Sequence, residues 1–266
     1  MTEPMILVNH LSKKYGEIQA VHDVSFFVER GECFGLLGPN GAGKSTTIKM
    51  LTTLADMDEG QVLIGGFDLQ LDPMSIRRLI GYVPQAISVD GTLTGYENLL
   101  LFAKLYGLPK KDRLERIQEV TELLDLAEVA NRQAKSYSGG MIRRLEIGQA
   151  ILHKPKVLFL DEPTVGLDPV ARQSVWSHLE ALRANEKMTI IMTTHYMEEA
   201  ESMCSNIAIM SKGCIAARGT LQELQAQAGK PEASMNEIFV HFAGSPDQQG
   251  GMKDVYRSRR TAKRLG

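Results

Sequence analysis

The sequence predicts an α/β fold built on a parallel β-sheet, opened by antiparallel strands and interrupted by a helical insertion. Three observations carry this. Residues 32–37, 157–160 and 189–192 are short apolar runs that read as fully buried strands, with longer helix-spaced stretches between them. Each run stops abruptly: at a glycine-rich loop, at Asp161 and Glu162, and at Thr193, Thr194 and His195. Ligands of parallel sheets bind beyond the carboxyl ends of the strands, where all three clusters fall.

Taken in order, residues 6–11 and 24–28 show the short alternation of antiparallel strands, with Lys14, Tyr15 and Gly16 read as a loop between them. The buried strand at 32–37 leads through glycines into Thr46, Thr47, Ile48, Met50 and Leu51, a strand, loop, helix sequence. From about Asp90 the spacing turns helical. Leu114, Ile117, Thr121 and Leu124 recur as on one helical face, so residues 90–150 read as an inserted helical subdomain. The core domain spans 4–224. Residues 225–266 read as a loosely packed extension, ending in a solvated basic tail with Lys253, Arg257, Arg259, Arg260, Lys263 and Arg264.

Composition narrows the function classes. The chain has 266 residues, 43% apolar and 23% charged, as an ordinary globular protein has. Thirty basic against thirty-two acidic residues leave a net charge of -2, so no overall field attracts nucleic acid, and no nucleic-acid partner is expected. Cys33, Cys204 and Cys214 lack C-x-x-C spacing and read as reduced core cysteines. The start carries no signal-peptide pattern, and no run approaches the roughly 20 apolar residues of a membrane span, so a cytoplasmic protein is expected. His10, His22, His153, His178 and His241 have no motif around them and read as structural.

The chemistry starts at Gly38, Pro39, Asn40, Gly41, Ala42, Gly43, Lys44 and Ser45. In this spacing successive backbone N–H groups can ring phosphate oxygens while the next helix directs its positive end at the same anion. Lys44 is expected to reach the β- and γ-phosphates and Ser45 to ligate Mg²⁺, with Thr46 beside them. Asp161, after four apolar residues, is positioned to hold Mg²⁺ through water. Glu162 is a second carboxylate that could orient or deprotonate an attacking water, as a hydrolase needs. His195 ends a third strand and could sense the γ-phosphate. No Asn-Lys-x-Asp guanine signature is present.

Tyr137, Ser138, Gly139, Gly140 and Met141, with Gln85 after Tyr82-Val83-Pro84 and Gly166-Leu167-Asp168, complete a set that resembles the ATP-binding-cassette (ABC) family of transport ATPases, across residues 4–224. The resemblance implies a P-loop NTPase core that binds ATP and Mg²⁺ and hydrolyses ATP. It implies Tyr15 stacking on adenine and Gln85 touching Mg²⁺ or the attacking water. It also implies a homodimer in which each Ser138, Gly139 and Gly140 close over the partner's ATP, with Asp168 at the seam. The available helix start at Ser138 agrees with that physically. Tyr137 and Met141 stand where the common family signature has Leu and Gln, a form similar to daunorubicin-resistance-type drug and antibiotic exporters. That subgroup implies a separate integral-membrane permease, with this chain peripheral at the cytoplasmic face of the cell membrane. The short extension after Leu224 also argues against the large regulatory domain of many sugar importers.

Overall fold

The computed structural model describes residues 3–244. In chain order the elements are β1 (Ile6–Tyr15), β2 (Ile18–Val28), β3 (Cys33–Leu37), α1 (Lys44–Leu51), β4 (Glu59–Ile64), β5 (Phe67–Asp68), α2 (Pro73–Leu79) and β6 (Ile80–Val83). Then come α3 (Gly95–Leu105), α4 (Lys110–Leu123), α5 (Gly139–Ile151), β7 (Val157–Asp161), α6 (Pro169–Glu186), β8 (Thr189–Thr194), α7 (Met197–Met203), β9 (Asn206–Ser211), β10 (Cys214–Gly219), α8 (Leu221–Gln227) and α9 (Met235–Ala243). Helix starts are legible locally. Thr94 with Glu97, Thr220 with Glu223 and Ser234 with Glu237 form reciprocal capping boxes, and Asp72 and Asp168 cap helices whose first residue is proline.

Two sheets form the frame. A four-stranded antiparallel sheet runs in the order β2-β1-β4-β5, and a six-stranded sheet in the order β10-β9-β3-β8-β7-β6. In the larger sheet β9, β3, β8, β7 and β6 are parallel and β10 closes one edge antiparallel. The expected parallel sheet with antiparallel strands ahead of it is therefore present. The three predicted buried strands are β3, β7 and β8. They are adjacent and in register, with Leu37 opposite Thr194 and Asp161 opposite Thr193. Their polar ends consequently meet at one level.

Burial explains why the sheets stay together. Phe26 of β2 stacks on Phe34 of β3, centroids 5.1 Å apart, within a cluster that also holds Ile6, Val8, Ile48 and Phe159. The other side of the large sheet is covered by the helices of the insertion, with Leu99, Val120 and Leu145 against Leu158 and Ile190. Each such side chain withdrawn from water contributes on the order of 1.5–3 kcal/mol before entropy is counted. Among the described residues no helix is long and apolar enough to cross a membrane.

Three expectations are corrected. Lys14 and Tyr15 belong to β1, because the hairpin pairs as far as Tyr15 opposite Ile18 and turns at Gly16. Leu114 is 64% exposed; the buried face of α4 runs through Ile117, Val120 and Thr121 instead. The stretch after Leu224 is not loose as far as residue 244. Met235, Ile238 and Phe239 of α9 are buried against Ile207 and Ile209 of β9 and Leu224 of α8. The basic tail, Lys253 to Arg264, lies outside the described residues. Cys33 is buried while Cys204 and Cys214 are partly so, and all three are free.

Phe239→Ala should cost about 3–5 kcal/mol of unfolding free energy, since it opens a void that β9 and α8 cannot fill. Urea unfolding of the full chain checks this, and a loss under about 1 kcal/mol would mean that α9 is not part of the core.

Candidate functional site

The loop after β3 is shaped by Gly43. Its φ of 105° is one that side-chain-bearing residues rarely adopt, and a Cβ there would lie 2.6 Å from the Ala20 carbonyl oxygen. The chain therefore turns sharply into α1, whose start carries no side-chain cap. The first N–H groups of α1 are left for a ligand, with the positive end of the helix behind them. A cleft of about 570 Å³ lies here, lined by Asn40, Gly41, Ala42, Gly43, Lys44, Ser45 and Thr46, and across from them by Gln85, Glu162, Val165 and His195. Ile18, Gln19 and Ala20 of β2 form its rim.

Lys44 is held at the mouth of its own loop, where Nζ donates to the carbonyls of Gly38 (2.8 Å) and Pro39 (3.2 Å). Glu162 Oε1 lies 3.6 Å away. Burial pulls the Lys44 ammonium below its usual range, and the neighbouring Glu162 and Asp161 carboxylates oppose that. Such an ammonium gains from an anionic ligand that replaces lost hydration.

The ends of β7 and β8 are tied to α1 through Asp161. Its Oδ1 accepts from the Ser45 hydroxyl at 3.0 Å and from the Thr193 hydroxyl at 2.6 Å. Burial, and then the Asp161 charge, push the nearby Tyr82 phenol up to about 12, so it stays neutral.

Glu162 has φ 49°, a left-handed backbone that costs a non-glycine residue on the order of 1–3 kcal/mol and needs outside support. Thr193 supplies it: the Glu162 N–H donates to the Thr193 hydroxyl (3.0 Å) and carbonyl (3.2 Å). The turn brings the Glu162 carboxylate into the cleft although it directly follows Asp161. Gln85 Nε2 donates to Glu162 Oε2 at 3.1 Å. His195 Nδ1 lies 3.2 Å from Glu162 Oε1 but is not aligned for a hydrogen bond. Its ring packs on Tyr196 at 4.2 Å, and Arg172 covers the Tyr196 ring at 4.7 Å.

Of the residues singled out by sequence, the structure thus gathers the glycine-rich loop, Gln85, Asp161, Glu162 and His195. Tyr15 stands outside the cleft lining, half exposed, with Lys13 Nζ 5.5 Å from its ring, beside the rim residue Ile18. Ser138, Gly139, Gly140 and Asp168 form a separate cluster. Ser138 caps α5, accepting from the Met141 N–H at 3.3 Å, and Asp168 caps α6, accepting from the Ala171 N–H at 2.9 Å. The two helix starts are in contact, since a Cβ on Gly140 would lie 2.9 Å from that of Ala171. None of the four lines the cleft, and Ser138, Gly139 and Asp168 are exposed. Met141 spends its N–H on the Ser138 cap, and its side chain is half-buried among the helices of the insertion.

Sequence reasoning placed Thr193 in the polar cluster that closes a strand but assigned it no role. It also missed the rim residues of β2, Ile18, Gln19 and Ala20, which belong to no motif.

A profile of the ABC transporter family matches residues 21–165. The chain is 42% identical over 242 residues to a linearmycin resistance ATP-binding protein of Bacillus subtilis (strain 168), covering 89% of this chain and 78% of that protein. It is 42% identical over 226 residues to a doxorubicin resistance ATP-binding protein of Mycobacterium tuberculosis (strain CDC 1551 / Oshkosh), covering 84% and 68%. A solved ATP-binding subunit of an ABC transporter superposes with a TM-score of 0.80 at 33% identity, over 90% of this chain and 99% of that one.

Gly43→Ala should weaken binding of a nucleoside triphosphate by about tenfold or more, because the strained turn shifts the first N–H groups of α1. Equilibrium titration with a fluorescent ATP analogue measures it; unchanged affinity would separate the loop from the ligand.

Proposed function

We propose, from the premise that the chain belongs to the ABC transporter family, that it is the ATP-hydrolysing subunit of an exporter, powering a separate integral-membrane permease. The observation that carries the reading is the convergence of Lys44, Gln85, Glu162 and His195 on the cleft at the end of α1. Relatives named for resistance to linearmycin and doxorubicin support export of a drug-like or antibiotic-like molecule.

In this reading Lys44 and the N–H groups of α1 grip the β- and γ-phosphates. The donor set fits Mg²⁺: Ser45 offers a hydroxyl, Asp161 a carboxylate and Gln85 an amide, all hard ligands. Such an ion would take its remaining ligands from phosphate and water. When bound, Mg²⁺ neutralises charge on the phosphate oxygens. Glu162 takes or orients the proton of the attacking water, Gln85 holds that carboxylate, and His195 reads the γ-phosphate from the far side of the cleft. Tyr15, beside the rim, offers a face to adenine.

The separation of Ser138, Gly139, Gly140 and Asp168 from the cleft supports a head-to-tail pair in which each copy completes the other's ATP site. A hydroxyl and two glycines at an exposed helix start suit an anion arriving from outside. ATP then favours the closed pair only through contacts that its γ-phosphate makes and ADP lacks. A permease partner, with the chain peripheral at the cytoplasmic face of the membrane, accords with an open groove of about 860 Å³ between α2 and the α3–α4 turn. The groove mixes apolar side chains such as Met74, Leu105 and Leu108 with charged ones such as Arg77, Arg78 and Glu115, and Leu105 is 71% exposed.

Glu162→Gln should bind ATP, pair in its presence and lose about 10²–10⁴-fold in turnover. Phosphate release together with light scattering checks all three, and wild-type turnover would remove Glu162 from the chemistry.

A further inference from the structure

α5 begins at the Ser138 turn and, one to two turns later, grips the segment that follows β6. Arg143 donates from Nη1 to the Pro84 carbonyl at 2.8 Å and from Nη2 to the Gln85 carbonyl at 3.4 Å. Glu146 Oε1 accepts from the Ser88 N–H at 2.6 Å and the Ser88 hydroxyl at 3.1 Å. Arg143 Nη1 and Glu146 Oε2 are 3.0 Å apart, an ion pair by distance that is not aligned as a hydrogen bond. Both residues are buried, at 5% and 1% exposure.

Two charges one turn apart on a single helix therefore clasp Gln85 from both sides, while the Gln85 amide reaches Glu162 at 3.1 Å. Burying an ion pair is a poor way to gain stability, because desolvation consumes most of the attraction and apolar residues serve as well or better. This pair instead spends its donors and acceptors on the backbone of Pro84, Gln85 and Ser88, which is what fixing a loop requires. Ser138 lies five residues before Arg143 on the same helix, about 7 Å along the axis.

We propose that Arg143 and Glu146 are positioning residues that lock the Gln85 segment to α5, so that the seating of Ser138 on one nucleotide sets Gln85 against Glu162 at the other. The proposal rests on the reading above, in which Glu162 and Gln85 serve hydrolysis and Ser138 closes on a second copy. It adds that the two nucleotide sites of a pair are linked through the body of α5.

The test uses the full chain with Arg143→Lys, which keeps the charge but cannot fork onto two carbonyls. ATP turnover, equilibrium ATP binding and thermal midpoint are measured for it, for Gln85→Ala, for the double variant and for Glu162→Gln. The expected result is a kcat lower by on the order of tenfold to a hundredfold, with ATP affinity within about twofold of wild type and a near-native midpoint. The double variant should be no slower than Gln85→Ala alone. Unchanged kcat in Arg143→Lys, or losses that multiply in the double variant, would overturn the proposal. Should Arg143→Lys not fold, Glu146→Met, which removes the acceptor for Ser88, is read by the same criteria. A Glu162→Gln variant that retains turnover sinks the hydrolytic reading; full loss there beside a wild-type Arg143→Lys sinks this proposal alone.

Discussion

The Asp161 carboxylate is the joint on which the site depends. One oxygen receives the Ser45 hydroxyl from α1 and the Thr193 hydroxyl from β8, so the ends of β7 and β8 are tied to the start of α1 at one point. The parallel register of β3, β8 and β7 makes that possible, because it brings Leu37, Thr194 and Asp161 to one level. A buried carboxylate is costly unless its lone pairs are used, and here the donors that stabilise it come from the elements the site must align. Thr193 works in both directions, donating to Asp161 and supporting the left-handed backbone of Glu162. The strain at Glu162 is what lets two consecutive carboxylates serve different tasks, one tied to the hydroxyls and the other turned into the cleft.

Most of the core was legible in the sequence because its signals are local. Five buried residues before a glycine-rich loop, and four apolar residues before Asp161, state a strand and its end without reference to anything distant. What escaped was long-range or quiet. Thr193 matters only through partners about thirty residues away. Arg143 and Glu146 were not singled out, since nothing local announces that Pro84 and Ser88 will fold against them. In α9 a short apolar face is set among Gly, Lys, Pro and Gln, so its polar neighbours hid its periodicity. Leu114 failed the other way: its spacing was right, but it sits near the exposed start of α4, before the helix reaches the other helices of the insertion.

The division of the site residues into two clusters carries the most functional weight. The glycine-rich loop, Gln85, Glu162 and His195 share a cleft, whereas Ser138, Gly139, Gly140 and Asp168 gather where α5 and α6 start side by side. Within one chain the second cluster has capping bonds but does not line the cleft. An exposed helix start with close-packed glycines behind it suits an anion held by another molecule, and a second copy of this chain would bring one. The relatives this chain resembles are named for resistance to different drugs, linearmycin and doxorubicin.

The claim that each ATP site is built from two copies is tested most directly by complementation. A Lys44→Ala copy and a Ser138→Arg copy would each form pairs lacking both intact sites, whereas a mixed pair keeps one: the loop of the second copy with the Ser138 of the first. ATP turnover is measured for each variant alone and for the mixture. The account predicts little turnover from either variant and clear recovery on mixing. No recovery at any mixing ratio, with mixed pairs demonstrated to form, would contradict it.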